Sequence, residues 1–416
     1  MRYFKVSILI GALVAVCVGV LTETGALRRL DQALAHFLGH VEAPAMIPAL
    51  HYSLVALFAL GIAWTTIDIP RTSLKAVVAI GALAQVVSLG WVLNLKHIFF
   101  SPFGSLAAIL GSFACGLAYA RTEAGSRKRL LRHALGERVS KSTFNALLDA
   151  PRPLNLEGER REVTVVVCEI FNHDDLEEAL TAPDYVALTN SFRRNAADYL
   201  VERGGYLDGC DGETIRVIFG APLDDSRHAT TACEAALGLV QRLDDVNVEC
   251  HTLWRQMFDF RIGVNAGEMT LAAYGSRRLG TYSVAGEPAE FARRLCRANL
   301  IYGSRVLLGS NACVLAEPAI EVRPMELIQR FEDGNREEIY ELLARRDSLT
   351  EEAIARRDTF WRAVIFYRER LWDDALDLFH KARAAGGTDG PVEFYIRRIE
   401  QLRAGLPALD WHTARL

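Results

Sequence analysis

Cysteine and histidine are the first residues to consider for chemistry in a chain of 416 residues with eight of one and ten of the other. No C-x-x-C pair and no Cys/His zinc spacing occurs. Cys17 and Cys115 lie in apolar runs. Cys168, Cys210, Cys233, Cys250, Cys296 and Cys313 are scattered through the charged remainder, the pattern of reduced, mostly buried thiols. His51 and His97 fall near the starts of two apolar runs and could bind haem, although packing is the commoner role of such histidines. The densest set of short motifs lies between residues 162 and 343. Val163-Thr164-Val165 leads to Glu169, and Gly212-Glu213 is followed by Phe219-Gly220-Ala221-Pro222. Arg261-Ile262-Gly263 runs on to Gly267-Glu268, Tyr282-Ser283-Val284-Ala285-Gly286 precedes Arg293 and Arg294, and Ile339-Tyr340-Glu341-Leu342-Leu343 closes the set.

The elements that carry these motifs follow from pattern. Val163–Cys168 is rich in β-branched residues and reads as a buried strand ending at Glu169. Leu176–Val201 is helical, Gly204-Gly205 a turn, and Thr214–Phe219 a strand that stops at the Gly-Ala-Pro turn. Ala229–Leu243 and Glu287–Arg297 read as helices, and Phe260–Asn265 is expected to pair with Met269–Ala273 across Gly267. This order suits a ferredoxin-like α/β domain with an elaborated sheet.

Before that domain, Val6–Thr22, Ala43–Ile67, Ala76–Leu95 and Ile98–Ala120 carry no charged residue. Each approaches the ~20 apolar residues that a helix needs to span a bilayer. Arg2 and Lys5, Arg71 and Lys75, and the group Arg121, Arg127, Lys128, Arg129 and Arg132 share one side if all four runs span. The positive-inside rule makes that side cytoplasmic and the location the inner membrane; Arg28 and Arg29 stand on the other side. Residues 121–150 read as a helix leaving the bilayer, stopped by Pro151 and Pro153. After residue 346, Trp361, Tyr367, Trp372, Ala375, Phe379 and Ala382 have the spacing of a helix pair. They resemble one tetratricopeptide-like unit, which must pack on a neighbour because one unit cannot bury its own faces. The expected organisation is a four-span anchor (1–120), a juxtamembrane linker (121–154), an α/β domain (155–345) and a helical tail (346–416). The net charge of −4 gives no sign of nucleic-acid binding.

The motifs from 162 to 343 resemble the catalytic domain of class III adenylate and guanylate cyclases, and Leu130–Gly136 resembles the juxtamembrane run of bacterial membrane cyclases with a CHASE-type sensor, for which this sequence leaves no room. The resemblance implies a site formed between two chains that takes ATP or another nucleotide. Two aspartates there hold magnesium or manganese; they align with Glu169 and Glu213, each longer by a methylene. Magnesium demands near-ideal octahedral geometry at about 2.0–2.1 Å, so the longer arms disfavour fast chemistry. The base-reading lysine aligns with Gly209, and its partner with Thr281, an accepted variant. The ribose-orienting asparagine aligns with Glu290 and the transition-state arginine with Arg294. The phosphate-gripping Lys-Gly-Lys aligns near Phe331-Glu332-Asp333, which is acidic; Asp211 could replace Glu213 after a shift of register. Two readings follow. One is a degenerate, membrane-anchored pseudo-cyclase that dimerises with itself or with an active cyclase, or binds nucleotide. The other is a slow adenylate cyclase using Glu169 and Glu213.

Overall fold

The computed structural model describes residues 2–38, 47–69, 72–95, 98–275, 280–329, 336–383 and 389–405. They fall into two compact units, residues 1–133 with 148–153 and residues 134–147 with 154–416.

The first unit is helical: α1 (Arg2–Glu23), α2 (Ala26–Phe37), α3 (Pro48–Asp68), α4 (Thr72–Asn94) and α5 (Pro102–Arg121), with most of α6 (Glu123–Leu135). Four of these helices are long and apolar enough to cross a membrane: Tyr3–Glu23, Pro48–Asp68, Ser73–Asn94 and Pro102–Arg121. Val14, Val18, Val55, Ala59 and Ala108 pack inward, while Leu9, Leu13, Leu57, Ile80, Val87 and Trp91 point out. Large apolar side chains on the outer faces of long helices suit a lipid solvent rather than water. The stretch between the first two apolar runs contains α2, whose Leu27, Leu30 and Leu34 give it an apolar stripe beside Arg28 and Arg29. The expected single helix over 121–150 is two, because the chain turns at Gly136 and restarts at α7 (Lys141–Asp149), where Ser140 Oγ accepts from the Thr143 N–H at 3.1 Å.

The second unit is built on one sheet. In chain order its elements are β1 (Glu159–Ile170), α8 (His173–Ala179), α9 (Ala182–Glu202), β2 (Tyr206–Asp211), β3 (Thr214–Phe219), α10 (His228–Trp254), β4 (Phe260–Gly275) and β5 (Gly280–Ala285). Then come α11 (Glu287–Tyr302), β6 (Val306–Leu308), α12 (Ser310–Ala316), β7 (Ile320–Gln329), β8 (Arg336–Arg345), α13 (Glu351–Arg368), α14 (Trp372–Ala382) and α15 (Gly390–Arg403). The described strands run in the order β2-β3-β1-β4-β6-β8-β7, with β5 paired to β4. All are antiparallel neighbours except β4 and β6. One face is covered by α9 and α10 over Val166, Cys168, Val217, Phe219, Ile262 and Val264.

Two local expectations change. The helix expected over 176–201 breaks at Thr181, whose side chain caps α9 by accepting from the Asp184 N–H at 3.4 Å. The hairpin expected at Gly267 does not form: β4 runs straight through it, paired with β1 over its first twelve residues. Gly267 serves close packing instead, since a Cβ there would lie 2.7 Å from Pro288 Cγ of α11.

The tail packs on the sheet. Phe360, Phe379, Tyr395 and Ile399 share one core with Phe291, Leu295 and Tyr302 of α11 and with Met325, Ile328 and Ile339. Trp361, expected in that core, is 38% exposed. Arg323, Glu341 and Asp389 tie the tail down through a buried charge cluster; Arg323 Nη1 and Nη2 both donate to the Asp389 carboxylate at 2.8 Å.

Candidate functional site

Glu169 stands next to last on β1, opposite Thr214 of β3 and Arg261 of β4. Glu213 lies beside Thr214 in the two-residue turn joining β2 to β3. Gly212 takes the left-handed φ of 49° that this turn requires. The turn is fixed from two sides. The Ile170 N–H donates to the Glu213 carbonyl at 3.1 Å, and Arg193 Nε of α9 donates to the Gly212 carbonyl at 2.6 Å. The backbones carrying both glutamates are therefore held against each other by hydrogen bonds. Asp211 is exposed at the last β2 pair.

The two carboxylates differ in environment. Glu213 is half-buried, whereas the Glu169 side chain is only 12% exposed. Glu169 Oε2 is buried and has no hydrogen-bond partner. Its Oε1 accepts from Arg297 Nη2 at 3.2 Å. An unsatisfied, enclosed carboxylate oxygen is a hard donor of the kind that divalent ions of the magnesium or manganese type take, with Glu213 on the adjoining backbone. Among the described residues no group of three or more His, Cys, Asp or Glu side chains converges on one point.

Arg297 was not singled out by its sequence pattern. It is one turn beyond Arg293 on α11, and that i, i+4 spacing was the available signal. Asn299 fixes this end of α11 to β4 by donating to the Ile262 carbonyl at 2.9 Å. The other arginines of the helix are also taken. Arg294 Nη2 donates to Glu287 Oε1 at 3.1 Å, its guanidinium 5.5 Å from the Phe291 ring centroid. Arg293 Nε donates to Glu290 Oε2 at 3.1 Å, so the Glu290 charge is partly balanced on its own helix.

Thr281, first paired residue but one of β5, is half-buried. Its Oγ1 accepts from Arg138 Nη1 at 2.6 Å, and the same nitrogen donates to the Asp208 carbonyl at 3.0 Å. Arg138 also accepts, through its backbone carbonyl, from the Leu207 N–H at 2.9 Å. Arg138 lies in the turn between α6 and α7, so a linker residue bridges the strand bearing Thr281 and the strand bearing Gly209. Sequence reading missed it, because nothing local marks a solitary arginine as a cross-strand brace. The structure thus joins Glu169 to Glu213 and separately Thr281 to the Gly209 strand, and pairs Arg294 within α11.

The Phe219–Pro222 turn is held from below: Arg161 Nη1 donates to the Gly220 and Pro222 carbonyls at 3.1 and 3.3 Å. His228 Nδ1 and Thr164 Oγ1 share a buried hydrogen bond of 2.7 Å, and burial pulls the His228 pKa below its ordinary value. His97 and Phe331-Glu332-Asp333 lie outside the described residues. His51 is buried in α3, with its ring against Gly104 and neither ring nitrogen hydrogen-bonded.

Residues 157–299 match the family described as the adenylate and guanylate cyclase catalytic domain. Over this stretch the chain is similar to class III cyclase catalytic domains. Adenylate cyclase 1 of Rhizobium meliloti (strain 1021) is 23% identical over 184 residues, which cover 44% of this chain and 28% of that protein. An uncharacterized protein of Mycobacterium tuberculosis (strain ATCC 25618 / H37Rv) is 30% identical over 188 residues, covering 45% of this chain and 31% of its own length. The solved adenylyl cyclase CyaB from P. aeruginosa aligns at 22% identity with a TM-score of 0.43, over 47% of this chain and 100% of that one. The chain thus spans about three tenths of the length of the curated relatives it matches.

Proposed function

We propose that this protein is a membrane-anchored, catalytically degenerate class III cyclase that works in cyclic-nucleotide signalling as a dimerising or nucleotide-binding subunit. The four long apolar helices anchor it in the cytoplasmic membrane, with the cyclase domain on the cytoplasmic side. The observation that carries the reading is the state of α11. Arg294, at the position that resembles the family's transition-state arginine, is paired with Glu287, and the ribose-orienting position is the acidic Glu290. A like charge close to a polyphosphate is costly where water is excluded. Gly209 supplies no side chain to read a base.

Class III sites form between two chains, so Thr281 and Arg294 of this chain would serve a partner's metal half, in a homodimer or beside an active cyclase. Mass measurement of the full-length protein in detergent tests this. A dimer, or a stable complex with a second cyclase chain, is expected; a strict monomer with and without nucleotide would contradict it.

The unsatisfied Oε2 of Glu169 favours a second reading, a slow adenylate cyclase converting ATP to cyclic AMP and pyrophosphate. Glu169 and Glu213 would hold magnesium or manganese, and the ion would supply charge neutralisation to a bound triphosphate. In that case the chain's own residues hold the ion, keep bulk water from Glu169, and offer Arg294 once it leaves Glu287.

A further inference from the structure

We propose that Arg297 is a built-in counter-ion that competes with divalent metal for Glu169. The proposal rests on reading Glu169 as a metal-ligand position. Glu169 is almost enclosed, and among the described residues the only charged group that satisfies either of its oxygens is the Arg297 guanidinium, 3.2 Å from Oε1. An enclosed carboxylate requires a compensating charge. A divalent ion would sit about 2 Å from the same carboxylate, and it could not share that space with a guanidinium without strong repulsion between cations.

The two ends of the pair differ in mobility. Glu169 is fixed on β1, and α11 is fixed at Asn299, but the Arg297 side chain is 39% exposed and has room to swing outward. Metal occupancy therefore requires displacing a cation of the same chain. The resting state is charge-balanced without metal, and anything that draws Arg297 away, such as a bound polyphosphate, opens Glu169 to the ion.

The test is Mn2+ binding to the full-length protein in detergent, followed by the electron paramagnetic resonance signal of free Mn2+, with no nucleotide. Arg297→Gln should bind Mn2+ about tenfold or more tightly than wild type. Arg297→Lys keeps the charge and should stay with wild type. Adding Glu169→Gln to Arg297→Gln should abolish the gain. Equal affinity in wild type and Arg297→Gln, weaker binding in Arg297→Gln, or no Mn2+ binding by either would overturn the proposal. The wild-type protein gives an arm that needs no stable Arg297 variant: its Mn2+ affinity should be no tighter than that of Glu169→Gln, and a strong Glu169-dependent site in wild type would overturn the proposal. This readout is independent of turnover, so failure here and failure of the functional reading are separable.

Discussion

At the scale of single residues, charge placement governs both site and stability. Arg323 is buried with Glu341 and Asp389, and removing one partner of such a cluster strands the others. Arg323→Ala should cost about 3–5 kcal/mol, measured by denaturant unfolding. His228 sets a pH dependence. Its folded pKa lies below the ordinary 6.5, so the unfolded chain takes the proton first and stability falls as pH drops below that value. Thermal unfolding from about pH 7 to about pH 5 should show that fall, and His228→Gln should flatten part of it. The cysteines were legible: all eight are free, and Cys168, Cys233, Cys250, Cys296 and Cys313 are buried. Burial also pushes the Cys250 thiol up to about 11. Cys210, exposed on β2, should be the thiol outside the four long apolar helices that alkylates fastest, checked by mass spectrometry after brief labelling.

At the scale of elements, the approach of α11 to β4 positions Arg293, Arg294 and Arg297. A Cβ on Gly263 would lie 2.1 Å from the Ala292 carbonyl oxygen and 2.4 Å from the Cys296 nitrogen. Gly263→Ala should therefore destabilise by about 1–3 kcal/mol, by the cost of overpacking. It should also loosen the Arg297–Glu169 pair, because α11 must move away. Arg138→Ala should cost about 1–2 kcal/mol by removing two hydrogen bonds from a charged donor, and should free Thr281. The strands were readable because Val163–Cys168 and Thr214–Phe219 are rich in β-branched residues. The Gly267 hairpin was misread because a glycine inside an alternating pattern signals a turn and a close helix approach equally well. The broken helix at Gly136 and the added helix α2 were hidden for a related reason: each is too short for periodicity to outweigh its neighbours.

At the scale of the whole molecule, the sequence divides sharply into apolar spans and a charged remainder, and that division was visible at once. The partners across the fold were not. Arg138 to Thr281, Arg297 to Glu169 and Asp389 to Arg323 join residues far apart in the chain, and pairing at such distance leaves no local trace. The tail shows the same effect, since spacing suggested a helix pair but not that Phe291, Tyr302 and Met325 would complete its core. Deleting residues 346–416 should expose that surface and produce aggregation, seen by size-exclusion chromatography.

The proposal that the cyclase domain is degenerate is tested most directly by cyclic-nucleotide production from purified full-length protein, with ATP and with GTP, in magnesium and in manganese. The account predicts no product above a Glu169→Ala/Glu213→Ala control, in protein shown to be folded. Product that exceeds this control would contradict it and establish the slow-enzyme reading.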